Sequence, residues 1–314
     1  NEMIRIICLN PVIDRVYYIS DFVEAKKYYE IRPQIFVGGK GINIARVMSQ
    51  MGEKCSLYAF VGGENGKLIE KEMKTCGVEM KAFRTDGETR TTINIIDNAR
   101  RQETEITEPG VMINQESQRE FLDTLQNDIR KGDMVICSGI PMQGMQNNIY
   151  AQISNICLNN ECKCILDATG IYLKEAFPGK YYFAKPNFSE LSELFQYTGE
   201  NNLAGILECG KKMQLLGAEN VLVSMGHEGG LFLGKNSCMK VTIPKAEVIS
   251  TIGSGDATVA GFCIGVNREM PVEDCIRLSM ACGISNAECS KVGNVDPKRV
   301  WEYYHQIDLS YLDM

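Results

Sequence analysis

Histidine and tryptophan are nearly missing from this chain of 314 residues, which has 2 of the first and 1 of the second. With His227 and His305 the only available nitrogen ligands and no Cys-x-x-Cys pair, the spacings that a zinc site needs are lacking. Positive charge is also scarce: 33 Lys and Arg stand against 40 Asp and Glu, for a formal net charge of −7. No basic stripe with interleaved aromatics is present, so nucleic acid is not an expected partner. No apolar stretch reaches about 18 residues, and the N-terminal residues run straight into a strand-like pattern. Neither a signal peptide nor a membrane span is therefore expected, and the chain reads as cytoplasmic with no membrane partner. Also absent are a Ser/Gly/Pro linker, a low-complexity tract and an internal repeat.

Cysteine is plentiful, at 13 residues, but an odd number in a chain without secretory features suggests buried thiols rather than a disulfide framework. Cys275, Cys282 and Cys289 recur every seven residues, so on one helix they share a face, where free cysteine packs as a small hydrophobe.

The 44% hydrophobic content is ample for a large core. Strand-like runs at 3–9, 55–61, 133–139, 163–168, 181–186 and 219–225 alternate with helical patterns at 42–52, 68–77, 116–131, 147–160 and 203–217. Strands buried on both faces with crossover helices between them imply an α/β fold with a doubly wound, mostly parallel sheet flanked by helices. Two stretches, at about 12–37 and 89–107, break the alternation with period-two patterns and no helix. They read as a small separate β-sheet, inserted as a lid in a single domain spanning 1–314.

Ligands of open α/β sheets sit beyond the C-terminal ends of the strands. Polar or glycine-rich stretches fall at such places: NPVID (10–14), GGKGIN (38–43), SGIP (138–141), KPNFSE (185–190) and SMGHEGG (224–230). None is a Walker loop, and GSGDAT has Thr258 where a dinucleotide fingerprint needs its third glycine. In TIGSGDATVAGF (251–262), Asp256 suits two purposes. It could cap the helix that follows, or act as a base beside an anion pocket formed by backbone N–H groups at Gly253 and Gly255. GGKGIN is either a tight strand-to-helix turn or a close approach to sugar and phosphate, with Asn43 offering donor and acceptor to hydroxyls. Asn187 and Glu190, three apart, suit one hydrated magnesium or a capping box.

NPVID, GGKGIN, KPNFSE, SMGHEGG and GSGD, in this order, resemble the ribokinase-like (PfkB) carbohydrate kinases over essentially the whole chain, in particular the branch of 1-phosphofructokinase and tagatose-6-phosphate kinase. The resemblance implies a β/α core with a small β lid, phosphoryl transfer from ATP with Mg2+ to a sugar hydroxyl, and homodimers joined through the lid. It further implies Asp256 as catalytic base, with Gly253, Ser254, Gly255 and Asp256 as anion hole. Asp14, Gly39, Lys40 and Asn43 match sugar-binding positions, and Lys27 and Arg90 match cations for the substrate's existing phosphate. Lys185, Asn187, Ser224, Gly226 and Gly229 match nucleotide-binding positions, and Glu190 matches the magnesium-linked acid, acting with Asn187 through water. A ketohexose phosphate is the expected acceptor, most naturally fructose 1-phosphate. Tagatose 6-phosphate, fructose 6-phosphate, another sugar or nucleoside, and a non-catalytic sugar-phosphate sensor stand as alternatives. Two departures bear on the sugar: Ser138-Gly139-Ile140-Pro141 is shorter than the branch's SGSLP-like turn, and Thr104-Glu105-Ile106-Thr107 lacks the Asn of its TEIN-like stretch.

Overall fold

A computed structural model describes residues 2–312. In chain order, β1 (Ile4–Cys8) leads into β2 (Val12–Tyr18) and β3 (Gln34–Gly38), followed by α1 (Lys40–Gln50), β4 (Cys55–Val61), α2 (Gly63–Thr75) and β5 (Glu79–Arg84). The hairpin β6 (Thr91–Asp97) and β7 (Gln102–Thr107) precedes α3 (Gln115–Asp128), β8 (Met134–Ser138), α4 (Ile149–Asn159) and β9 (Lys163–Asp167). Next come α5 (Gly170–Lys174), β10 (Tyr181–Ala184), α6 (Phe188–Phe195), α7 (Leu203–Leu216) and β11 (Ala218–Ser224). The chain closes with β12 (Gly230–Leu233), β13 (Cys238–Thr242), α8 (Ser254–Asn267), α9 (Val272–Ala287), α10 (Pro297–Tyr304) and β14 (Asp308–Tyr311).

The large sheet has ten strands in the order β14-β13-β12-β11-β10-β9-β8-β1-β4-β5. The seven from β11 to β5 run parallel, and β12 to β14 extend it antiparallel. Strand β4 is buried at every position, as a strand covered on both faces must be. One apolar core, under α1, α8 and α9, takes in Ile6, Leu57 and Phe262, and the other, under α3, α4 and α7, takes in Phe121, Ile153 and Met213. This is the expected doubly wound α/β architecture.

Helix α8 approaches α9 closely because Gly261 and Gly265, one turn apart, leave no side chain between them. A Cβ at Gly265 would lie 2.8 Å from the Cys275 Cα, and one at Gly261 would lie 3.0 Å from the Cys282 Sγ. Cys275 and Cys282 thus fill glycine-lined gaps as packing thiols. Cys289 does not share their face: α9 ends at Ala287, and Cys289 follows beyond its C-terminal cap at Glu288.

The two irregular stretches form a separate four-stranded sheet, ordered β3-β2-β6-β7, in which β2 and β6 are parallel. It is joined to the large sheet at the C-terminal end of β1, where β8, β9, β10 and β11 also end.

Candidate active site

Gly253 caps α8 in the left-handed region at φ 81°, and a Cβ there would lie 2.6 Å from the Val292 Cγ1, so a side chain is excluded twice over. Ser254, Gly255 and Asp256 form the first helical turn. The Ser254 N–H is committed to the Thr251 carbonyl at 3.2 Å. The amides of Gly255 and Asp256 have no intrahelical acceptor, which with the helix dipole makes this turn attractive to an anion. The Ser254 hydroxyl is buried without a partner.

Asp256 is 5% exposed, and its carboxylate accepts from Asn43 Nδ2 of α1 at 2.8 Å rather than from an amide of its own helix. The cap is therefore Gly253. Burial pushes the Asp256 carboxyl up to about 6; Lys40, Asn43 and Lys185 oppose the rise and Asp167 adds to it. A carboxylate held near neutrality and offered one neutral donor keeps its second oxygen for an incoming hydroxyl.

Asp167, at the end of β9, is a residue that sequence reasoning missed. It is 3% exposed and lies between two cations, with Lys40 Nζ donating to it at 3.3 Å and Lys185 Nζ forming a longer ion pair at 3.9 Å. Ser138 Oγ also donates to it, at 3.4 Å. Burial alone would raise this carboxyl, but the two lysines hold it below its ordinary value, and Asp167 in turn raises Lys40. The signal was available, since a carboxylate at the C-terminal end of a central parallel strand is where this architecture puts its ligands. Lys185 also reaches the anion-binding turn: a Cβ on Gly255 would sit 3.2 Å from its Nζ.

The small sheet supplies a second group. Asp14 of β2 lies close beside Gly38 of β3, where a Cβ would collide with its carboxylate. Burial lifts Asp14 to about 6, with Arg90 opposing and Glu105 adding. Arg90 precedes β6, donates from Nη2 to the Asn10 carbonyl at 3.3 Å, and keeps a buried Nε without a partner. Burial lowers its pKa from the ordinary arginine value. The Asn10 side-chain oxygen is also buried and unpaired. Gly39, at φ 116°, caps α1 where a Cβ would meet Cys8 and Pro11 at 3.2 Å. Lys27 stands apart: it is exposed in the connection between β2 and β3, and among the described residues it pairs with no carboxylate.

On the other side of Lys185, Asn187 and Ser224 are joined by a parallel bridge, and the Ser224 N–H donates to the Pro186 carbonyl at 3.1 Å. Gly226 and Gly229 turn the chain after β11 at φ 58° and 92°. Both readings of Asn187 and Glu190 meet here. Asn187 Oδ1 accepts from the Glu190 N–H at 2.8 Å and Glu190 Oε2 accepts from the Asn187 N–H at 2.9 Å, a complete capping box on α6. The second Glu190 oxygen has no hydrogen bond and the residue is half-buried, a donor set that fits a hydrated magnesium carried with phosphate oxygens. Among the described residues no group of three or more His, Cys, Asp or Glu forms an all-protein metal cage. A cavity of about 380 Å³ opens beside Asn187 and Ser224, lined also by Phe188, Leu203, Ile206 and Met225. No helix among the described residues is long and apolar enough to cross a membrane.

Known proteins resemble this chain over nearly its whole length. The model of the pfkB family of carbohydrate kinases matches residues 8–299. The chain is 29% identical to a 1-phosphofructokinase of Bacillus subtilis over 291 residues, 93% of this chain and 94% of that one. It is 30% identical to a tagatose-6-phosphate kinase of Staphylococcus epidermidis over 309 residues, 98% of this chain and 99% of the other. Its fold superposes on that of phosphofructokinase-2 from Escherichia coli, solved with potassium, at a TM-score of 0.89 and 21% identity, covering 97% of this chain and 98% of that one.

Proposed function

The chain belongs to the pfkB family of carbohydrate kinases, and from that premise we propose that it transfers the γ-phosphoryl group of ATP to a hydroxyl of a ketohexose phosphate, converting fructose 1-phosphate to fructose 1,6-bisphosphate. The observation that carries the reading is Asp256: a buried carboxylate lifted to about 6, beside two open amides and two lysines. Phosphoryl transfer is chiefly a matter of positioning and charge neutralisation, and these groups supply both. Asp256 takes the proton of the attacking hydroxyl, which Asn43 and Asp14 help to orient. The amides of Gly255 and Asp256, with Lys185 and Lys40, receive the charge of the transferred group. Asn187, Ser224, Gly226 and Gly229 would cradle the nucleotide, and Glu190, with Asn187, would hold hydrated magnesium. Magnesium supplies charge neutralisation on the phosphate oxygens when bound with ATP.

Arg90 supports a phosphorylated acceptor, because its buried and unpaired Nε is a donor awaiting an anion. Lys27, exposed between β2 and β3, is the second cation of this reading. The sheet that carries Arg90 and Asp14 acts as a lid over the sugar, within one domain. Its far face presents Ile35, Arg15, Ile93 and Ile106 in one row across four strands, with Ile35 and Ile106 at least half exposed. A second copy of the chain covers this row in a homodimer.

ADP release measured with ATP and Mg2+ against fructose 1-phosphate, tagatose 6-phosphate, fructose 6-phosphate and free fructose tests the assignment. Preference for fructose 1-phosphate is expected. Preference for tagatose 6-phosphate keeps the chemistry and replaces the sugar, and activity confined to free fructose removes the phosphate pocket.

A further inference from the structure

Arg46 lies on the same face of α1 as Asn43 and is 2% exposed, an unusual depth for a charged side chain. Every one of its donors is used. Nε and Nη2 donate to Glu72 Oε1 at 3.1 and 2.6 Å, and Nη2 also donates to the Val37 carbonyl of β3 at 2.8 Å. Nη1 donates to the Val292 carbonyl at 3.0 Å and to Asn43 Oδ1 at 3.2 Å. A guanidinium has five N–H donors and no acceptor, so none is left for a substrate. The same property fixes Asn43. The amide atom facing a pure donor must be the oxygen, which turns Nδ2 toward Asp256.

The Nη1 bond to Val292 reaches the turn at Gly253 by another route. Val292 packs against Gly253, and Gly293, at φ 68°, lets its loop approach where a Cβ would lie 2.9 Å from both Arg46 Nη1 and Asn43 Cα.

We propose that Arg46 is a positioning residue for phosphoryl transfer: its guanidinium locks the Asn43 amide in the orientation that donates to Asp256 and holds the Val292 loop against the turn at Gly253. The inference rests on the reading of Asp256 as base. The charged groups facing that carboxylate are Lys40 of α1, Asp167 at the end of β9 and Lys185 after β10, with Asn43 between it and Arg46. Without the lock, Asn43 can present its oxygen to Asp256, and a stabilising contact to the ionised base becomes a repulsive one.

The test compares the wild type with Arg46→Lys, which keeps the charge but not the fork. The readouts are kcat, the KM for ATP, thermal stability and the acid limb of kcat/KM. A hydrogen bond to an ionised group is worth about one pKa unit or more, so the limb should move up by about one unit and kcat should fall by roughly 10-fold, with the KM for ATP within about 3-fold. The substrate's own phosphate titrates identically with both enzymes, so the difference belongs to the protein. An unmoved limb overturns the inference, whatever happens to thermal stability. If Arg46→Lys does not fold, Glu72→Gln is read in the same way: a smaller upward step supports the lock, and an unmoved limb overturns it. Asp256→Asn run in parallel separates the two claims. Near-normal turnover in that variant ends the reading of Asp256 as base, whereas an inactive Asp256→Asn with an unmoved Arg46→Lys limb ends only the lock.

Discussion

Asp256 and Asp14 are both carboxylates that burial lifts to about 6, yet they are held by different means. Asp256 stands on the first turn of a long core helix, and what surrounds it is tied down in turn: Asn43 by Arg46, Lys40 by Asp167. Asp14 stands on a four-stranded sheet whose outermost strand, β7, is exposed at every position, and its nearest cation, Arg90, has an unsatisfied buried N–H. Around Asp256 the neighbouring side chains are tied to one another and the open groups are those of the helix turn, the Gly255 and Asp256 amides and the Ser254 hydroxyl, whereas in the half proposed to recognise the sugar the side chains of Arg90 and Asn10 themselves hold unpaired atoms. A kinase gains from that division, since rigid charges serve the transferred group while a lighter sheet adapts to the acceptor.

Apart from the loss of Asp256 itself, removing Asp167 should break the first half most severely. Asp167→Asn leaves Lys40 and Lys185 without their shared counter-charge, and kcat/KM for ATP is expected to fall by about 100-fold, the scale for losing one preorganised electrostatic contact. Steady-state kinetics with ATP varied would show it, and a change under about 3-fold would make the lysine pair independent of Asp167. On the sugar side, Arg90→Ala should lower kcat/KM for the sugar phosphate by roughly 10–100-fold, the value of one charge-assisted contact to a phosphate, with the KM for ATP little changed. Equal losses for free fructose would show that Arg90 acts on the sheet and not on the phosphate.

The pH profile sharpens the comparison. A base must be ionised to work, so kcat/KM is expected to be flat above about pH 7 and to fall as pH drops through about 6. Asp14→Asn should keep that limb while raising the KM for the sugar phosphate. The smallest effect is expected at the outer face of the lid: Ile106→Glu should weaken self-association, read by sedimentation, while changing kcat by less than about 3-fold. A variant that sediments as the wild type does would leave this row of the lid without a second copy as its partner.

Much of the core was legible because strands such as CSLYAFV are apolar at nearly every position and their crossover helices carry a clear period. The small sheet was legible as an interruption of that rhythm. The α9 boundary was not, because the seven-residue cysteine spacing runs on to Cys289 after the helix has stopped at Ala287. Glycine and aspartate pointed to the turn at 253–256, but which residue capped the helix depended on Asn43, which lies 213 positions away. Asp167 was marked only by its place at the end of a strand, and Arg46 by nothing local, for a related reason. Each looks locally like part of an ordinary strand or helix, and its importance comes from partners that only the folded chain brings together.

The account turns on Asp256 as a base, and one substitution tests it most directly. Turnover of Asp256→Asn with ATP, Mg2+ and the preferred sugar phosphate is expected to fall by ~10²–10⁴-fold, the range for a positioned base, with the melting temperature near that of the wild type. Near-wild-type turnover from a folded Asp256→Asn enzyme would contradict it.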